Sequence, residues 1–583
     1  MKSIKIFVLA EKPDQAEKYA HTFGKPKNDK GVWKVYSDIL NADVLIASAV
    51  GHLVEKDNPY KNYENWELEN LPALPEKFSY KVKKGVSYSF NNIKKCIKEC
   101  DCIIIATDPD REGESIAYKI LNEIPGSINK VKYRLWANSL TKKGIESAFK
   151  KLRDPSETIN YYHEADARDD ADWLVGFNLS PFVTIKMKEV GELEKTDKVM
   201  SVGRVQTPIV SLIVRNHEEI ENFVSVPFWT IEALNEEGLK FTNDVKYKSL
   251  QEATEALELM SDSYTVIDVK VENKSQTAPK LYNLTNLQSE MSKLYKVDAT
   301  RTKEIVQSLY QKGFMSYPRT DSTLITTNEF EYLVANIERY KQTIGKDIET
   351  VNLTPRKEFV NDKKVVEHYA IIPTENIPNI EELDSYEKII YQMVTFQTLL
   401  MFAEDYNYQS TTITIKNDAS SVEFKVSGNV TINKGWRKYK QTKSEDKELP
   451  SLKVMDSLIL KANVKQDQTK PPARITEEYL LKKLLPKYNL GTSATRDGIL
   501  DLIQEREYVK KEKKTGQFTP TIRGIKLIHF LDKLDIIYTN PETTQKWELL
   551  LAQIGQGKIR KSDFVEKVKW AISKQIEKGK QLL

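Results

Sequence analysis

Cys102-Ile103-Ile104-Ile105-Ala106-Thr107-Asp108-Pro109-Asp110-Arg111-Glu112 is the stretch that decides the fold. An apolar run of strand length ends in three carboxylates at alternate positions, and Arg111 to Ile124 then reads as a helix. The carboxyl end of a buried strand is where open α/β sheets place their ligands. Working outward, Ile4 to Ala10 is a second strand-length run, followed by a helix, Pro13 to Phe23, with proline near its start. Val44 to Val50 is another buried strand, Ser89 to Glu99 is helical, and Val131 to Leu135 with Thr141 to Leu152 repeats the unit. Residues 1–155 therefore read as a parallel sheet covered by helices on both faces. Glu11 falls at the end of the first strand and Gly51-His52 at the end of another. Glu11, Asp108, Asp110 and Glu112 can thus converge on one crevice, where hard oxygen ligands suit Mg²⁺. A salt-bridged loop partnered by Arg111 and Lys12 is the alternative.

The remainder of the chain bounds the class. Its 583 residues correspond to about four domains at ~150 residues each. With 40% hydrophobic and 30% charged residues and a mean hydropathy of −0.52, the profile is that of a soluble globular protein. No apolar run approaches the ~20 residues of a membrane helix, and the apolar start is too short for a signal peptide. Three cysteines (Cys96, Cys100, Cys102) exclude a disulfide scaffold and a four-cysteine zinc ribbon. The expected location is the cytoplasm. The net charge, 88 − 84 = +4, neither demands nor excludes nucleic acid. Leu551 to Leu583 carries eight Lys/Arg and three Asp/Glu, which suits either a solvated amphipathic helix or a phosphate-facing end.

Past residue 155 the pattern changes twice. Ser156 to Asn178 and Val205 to Ile220 read as helices, linked irregularly through Gly191 to Gly203. Phe228 to Phe241, Ser263 to Val271, Ser410 to Lys416 and Ser421 to Val426 are strand-like, and a helical block, 281–400, separates the two pairs. That order predicts a β-rich hinge arch, 221–280 and 401–465, interrupted by the helical domain 281–400. A second discontinuous unit, helical, takes 156–220 and 466–583. Gln441 to Glu448 reads as a polar charged loop.

Of 28 tyrosines, Tyr317 has unusual company in Gly313-Phe314-Met315-Ser316-Tyr317-Pro318-Arg319-Thr320-Asp321-Ser322. A phenol with a pKa of about 10 is a poor nucleophile at neutral pH and needs a nearby cation. Arg319 lies two residues on, and Pro318 stiffens the loop. The simpler reading is a loop in which Asp321 or Ser322 caps the next helix.

Eight short segments, in order, resemble the type IA DNA topoisomerases, and more closely the bacterial topoisomerase III branch. They are Leu9 to Pro13; Gly51 to Leu53; Ala106 to Glu114; Ala167-Arg168 with Ala171 to Leu174; Ser201 to Pro208; Ser316 to Ser322; His368 to Thr374; and Gly491 to Arg496. The resemblance implies a Toprim domain followed by a toroid closed by two arms, in which the helical domain carrying the tyrosine swings away. It implies ATP-independent cleavage of one DNA strand by Tyr317 through a 5′-phosphotyrosine, strand passage and religation. Arg319 and His368 would serve the phosphate, Glu11 the 3′ oxygen, and Lys12 the phosphoryl oxygens. Glu11, Asp108, Asp110 and Glu112 would bind Mg²⁺. His52, Arg168, Asp172, Ser201, Val202, Gly203, Arg204, Val205, Gln206 and Arg496 would bind single-stranded segments of negatively supercoiled or gapped DNA. The protein would act as a monomer.

Three departures stand out. Asp14 replaces the small hydroxyl residue usual in this branch, and Asn178-Leu179-Ser180-Pro181 lacks its threonine-arginine ending. The extra loop that topoisomerase III members often carry before Gly491 has no room, because Glu478 to Leu490 is thirteen residues and Glu478 to Leu485 reads as one apolar-faced helix. Three other readings stay open: a Toprim primase or nuclease, which would not need Tyr317; a non-catalytic DNA-binding homologue; and a topoisomerase I-like relaxase without zinc ribbons. No Gly-x-x-x-x-Gly-Lys-Ser/Thr phosphate loop occurs.

Overall fold

The computed structural model describes residues 4–57, 67–194, 197–365, 368–440, 446–492 and 495–582. The N-terminal sheet contains β1 (Lys5–Ala10), β2 (Lys27–Asp29), β3 (Val32–Ser37), β4 (Ala42–Ser48), β7 (Cys102–Ala106) and β8 (Val131–Arg134). Its order is β2-β3-β4-β1-β7-β8. A separate pair, β5 (Val54–Lys56) and β6 (Tyr80–Val82), lies outside it. Strands β4, β1, β7 and β8 are parallel, and helices α1 (Pro13–Phe23), α2 (Ser87–Glu99), α3 (Arg111–Asn122) and α4 (Lys142–Lys150) follow or precede them. The sheet is not wholly parallel: β2 and β3 add an antiparallel edge. Those edge strands are short and mostly polar on their exposed side, so they carry no buried run that would announce them. In the β1–β7 register Ala10 pairs with Ala106, and this sets Glu11 beside the Asp108 turn.

Helix α5 (Ile159–Glu189) runs 31 residues and continues through Pro181, where the sequence suggested an end near Asn178. Proline removes one helical N–H and normally breaks a helix. Here every residue from Asn178 to Thr184 is buried, so tertiary packing holds the segment helical. Around it pack α6 (Gln206–Glu221) and the C-terminal elements, in one apolar cluster.

The arch is a single seven-stranded sheet. β9 (Pro227–Leu234), β10 (Lys240–Thr242) and β11 (Ser263–Gln276), with α7 (Leu250–Glu258) between the last two, come from before the helical block. β12 (Tyr406–Asn417), β13 (Glu423–Asn433), β14 (Ser457–Ile459) and β15 (Lys461–Gln468) come from after it. They interleave in the order β14-β11-β12-β13-β10-β9-β15. The helical block has its own core, built from α8 (Leu284–Tyr295), α9 (Ala299–Gln311), α10 (Thr327–Ile344), α11 (Ser385–Leu400) and their loops.

The segment before Gly491 is folded down. α12 (Glu477–Tyr479) and α13 (Leu485–Lys487) are joined by a π turn, Leu480–Leu484, in place of one regular helix. Then come α14 (Arg496–Glu505), the hairpin β16 (Val509–Lys511) and β17 (Phe518–Pro520), α15 (Ile522–Lys533), α16 (Pro541–Gly555) and α17 (Lys561–Leu582). Of the polar stretch Gln441 to Glu448, residues 441–445 lie outside the described ones; Lys447 N–H donates to Asn429 O of β13. Among the described residues no helix is long and apolar enough to cross a membrane.

Candidate active site

The carboxyl ends of β1 and β7 build the site's floor. Asp108 N–H donates to Glu11 Oε2 at 3.1 Å, and Lys12 Nζ lies 2.9 Å from Asp108 Oδ2 and 3.3 Å from Glu11 Oε1. Asp110 caps α3, accepting from Gly113 N–H at 2.7 Å. The helix packs so closely that a Cβ on Gly113 would stand 2.2 Å from Asp108 O, so only glycine fits. From the other side comes the loop after α9. Tyr317 is 1% exposed and donates its hydroxyl to Asp110 Oδ2 at 2.7 Å. Arg319 Nη1 lies 3.0 Å from Glu112 Oε2, and His52 lies 3.7 Å from Glu112 Oε1. His368 lies in a buried loop, its Nδ1 2.9 Å from Asn138 Oδ1 and its ring 4.7 Å from that of Tyr317.

The burial sets the charges. Desolvation, reinforced by Asp108, raises the Glu11 carboxyl to about 8, so it carries a proton at neutral pH. Desolvation and Asp110 also push the Tyr317 phenol well above its ordinary value. Burial would raise Glu112 too, but His52, Arg319 and Lys12 outweigh it and hold it at about 2. Burial lowers His368 to about 4, which leaves it neutral. The Tyr317 hydroxyl is therefore held protonated on Asp110 and buried.

A cavity of about 990 Å³ opens beside this cluster, lined by His52, Asp110, Glu112, Arg168, Asp172, Arg319 and His368, among others. Tyr317, Glu11, Lys12 and Asp108 do not line it. A second cavity of about 560 Å³ runs on past Asp172, between α5 and Ser201 to Gln206.

A family model described as DNA topoisomerase matches residues 156–566, and one described as Toprim domain matches residues 7–140. The chain belongs to the type IA DNA topoisomerases. It is 31% identical to DNA topoisomerase 3 of Bacillus subtilis, over 97% of this chain and 80% of that protein. It is 30% identical to DNA topoisomerase 1 of Alkalihalophilus pseudofirmus, over 96% of this chain and 82% of that one. In fold it is similar to the crystal structure of full-length topoisomerase I from Thermotoga maritima, with a TM-score of 0.72 at 22% identity, covering 98% of this chain and 90% of that one.

For a type IA topoisomerase the residues expected to bind DNA are distributed in an uneven way. Ser201, Val202, Gly203, Val205 and Gln206 line the second cavity with Trp173 and Phe177, whose rings stack 4.4 Å apart. Arg204 lines it too, but its guanidinium is fully buried and spent on Asp172 at 2.7 Å and Glu548 at 2.6 Å. Arg168 lines the first cavity and is also held by Glu548. Arg496 faces the tyrosine-bearing block instead of open space: it donates to Thr285 Oγ1 at 3.1 Å and lies 3.5 Å from Asp321. Ser493 and Ala494 of the same motif lie outside the described residues.

Several residues at the site carried no motif. Gln15 bridges the pair at the floor, accepting from Glu11 N–H at 2.9 Å and donating to Asp108 Oδ1 at 3.0 Å. Arg134, wholly buried, donates to Thr107 O and Asp108 O and so fixes the acidic turn. An arginine inside a strand-like run was the one visible sign of it. Asn138 O accepts from Tyr317 N–H at 3.3 Å, and nothing in the sequence marks that residue.

Proposed function

We propose that this enzyme cleaves one DNA strand with Tyr317, passes a second strand or duplex through the gap, and reseals it without ATP. The observation that carries this reading is the Tyr317 hydroxyl set 2.7 Å from Asp110 at the end of the sheet, with Arg319 alongside on Glu112. The phenolic proton leaves toward Asp110, the group it already bonds. The phenolate oxygen bonds to phosphorus as the P–O3′ bond breaks. The 3′ oxygen takes a proton from Glu11, whose carboxyl burial and Asp108 push upward. Arg319 and Lys12 stabilise charge on the phosphoryl oxygens, and His368 orients the same phosphate. The ester keeps the energy of the broken bond, so religation runs the sequence backward.

Asp108, Asp110 and Glu112 are hard oxygen donors at one sheet end and fit Mg²⁺ in kind. In this closed state Lys12, Tyr317, Arg319 and His52 engage them, and no three described side chains stand ready around an ion. They would hold the ion, with Glu11 at the edge, once the tyrosine loop lifts. The ion supplies positive charge that fixes the scissile strand and its 3′ end.

The burial of Tyr317 supports a moving helical block, 281–400, hinged on the arch 221–280 and 401–465. The Toprim domain, 1–155, and the helical groove unit, 156–220 with 466–583, stay behind. The substrate is single-stranded DNA exposed in negatively supercoiled or gapped duplex. The enzyme works as a monomer in the cytoplasm, at the nucleoid.

The test is incubation with labelled single-stranded DNA and Mg²⁺, then denaturation. A covalent adduct should form with the wild type and vanish in Tyr317→Phe, which keeps strand binding. A Toprim primase or nuclease, or a non-catalytic homologue, gives no adduct; normal relaxation by Tyr317→Phe would remove the assignment.

A further inference from the structure

Glu548 sits on α16, far in sequence from every motif. Its carboxylate accepts from Arg168 at both oxygens, Nη1 to Oε1 at 2.8 Å and Nη2 to Oε2 at 2.5 Å. That two-pronged fork is the geometry a guanidinium offers to a phosphate. Arg168 lines the large cavity and is 17% exposed, and its buried Nε has no hydrogen-bond partner. Glu548 also accepts from Arg204, whose guanidinium is wholly buried and anchored a second time on Asp172.

We infer that Glu548 is a positioning residue that acts through Arg168. It occupies the arginine's fork in the DNA-free enzyme and yields it to a backbone phosphate when a single strand enters. The exchange leaves no orphaned buried charge, because Arg204 stays on Glu548 after Arg168 turns away. A carboxylate whose only basic partner departed would be left buried and unpaired, at a large cost. Arg204 thus serves the groove from beneath, as the fixed partner of the carboxylate. The inference deepens the proposed function and rests on its placement of the single strand along Arg168.

The experiment measures binding of a labelled oligothymidylate to the full chain over a range of salt, without Mg²⁺ so that no cleavage occurs. Glu548→Gln removes the competing charge. It should bind about fivefold more tightly at moderate salt with the wild-type log–log salt slope, because Arg168 meets the phosphate in both, whereas Arg168→Ala should flatten that slope by about 0.7, the increment for one phosphate on a single strand. Arg168→Ala should bind more weakly than wild type, and Glu548→Gln in the Arg168→Ala background should bind no more tightly than Arg168→Ala alone. Glu548→Asp, which keeps the charge, should keep the wild-type affinity. If Glu548→Gln does not fold, Glu548→Gln with Arg204→Met keeps the buried charges balanced and should show the same tightening. Equal or weaker binding by Glu548→Gln overturns the inference, and so does an Arg168→Ala slope equal to that of the wild type. So does tightening that survives the loss of Arg168, which would make Glu548 a general countercharge. Adduct formation by the same preparations scores the cleavage reading separately, since a wild type that forms no adduct defeats that reading whatever the slopes do.

Discussion

At the scale of single residues the acidic turn is held by contacts that tolerate little change. Gly113 brings α3 against Asp108 O, and Arg134 ties down the carbonyls of Thr107 and Asp108. Gly113→Ala must push the helix or the turn aside. Overpacking of this kind costs about 1–3 kcal/mol, and here the strain falls on the carboxylates themselves. The variant should melt at lower temperature and lose most relaxation activity while still binding single strands. Wild-type relaxation by a destabilised Gly113→Ala would show that the turn's placement is not critical. A second test addresses the metal. Asp108→Ala with Asp110→Ala should abolish most relaxation and weaken Mg²⁺ binding followed by calorimetry, and excess chelator should stop the wild type. Full relaxation in chelator would defeat the Mg²⁺ reading. The sequence made the acidic residues and Tyr317 legible because each sits in an ordered motif. It left Gln15, Asn138 and Glu548 unread, because their roles come from contacts between segments far apart in the chain, and no local pattern encodes such a contact.

Among the elements, α5 shows why boundaries were harder to read than types. Its charges cluster at its two ends, Glu164 to Asp172 and Lys186 to Glu189, and Pro181 marks an end that burial overrides. The same helix gathers carboxylates that meet cations from three other elements: Lys56 of β5, Lys119 of α3 and Lys561 of α17. Burial would raise Asp169, but Lys56 and Lys119 hold it at about 2; burial would raise Glu548, but Arg168 and Arg204 hold it at about 2 as well. A carboxyl whose folded pKa lies below its unfolded value near 4 stabilises the fold above that value and loses the contribution as pH falls toward 2. Stability should therefore drop between about pH 4.5 and 2. Each such carboxyl adds at most about 1.4 kcal/mol per pH unit to the slope. Chemical denaturation across that window should show a shallower fall for Glu548→Gln than for the wild type. An identical slope would mean that Glu548 titrates alike in the folded and unfolded chain. The arch strands were readable by contrast, since β12 alternates Thr411, Ile413 and Ile415 with Thr412, Thr414 and Lys416, and period-2 patterning survives any partner. The edge strand β3 alternates too, Trp33 and Val35 toward the core and Lys34 and Tyr36 outward, whereas β2 is three exposed polar residues with no buried face.

For the whole molecule, the question is how the closed ring handles a second piece of DNA. The tyrosine-bearing block is clasped on two sides. One clasp is the candidate active site, where Tyr317 and Arg319 bond Asp110 and Glu112. The other is the segment 477–501, where Glu477 meets Ser292, Asp497 meets Lys303 and Arg496 meets Thr285. The second clasp uses the very stretch in which topoisomerase III members often carry a long loop associated with decatenation. Here the thirteen residues from Glu478 to Leu490 are consumed by α12, the π turn, α13 and a tight turn, with Leu480, Leu481, Leu485 and Leu490 all buried. No length remains for a long loop that could grip a duplex. The charged stretch Gln441 to Glu448 is a poor substitute at its far end, since Lys447 is tied back to β13 and Asp446 to Thr431. Relaxation of negative supercoils needs only that one strand be cut and another passed nearby, where the substrate's own topology keeps the two close. Decatenation needs a duplex from another circle to be captured and held, and that step lacks its grip. Nicking and relaxation should therefore be robust, and decatenation should need more enzyme relative to relaxation than in loop-bearing relatives. The measurement is a side-by-side titration on negatively supercoiled plasmid and on catenated circles with single-stranded gaps. An equal or lower enzyme requirement for decatenation would refute the argument from the loop and leave the enzyme class untouched.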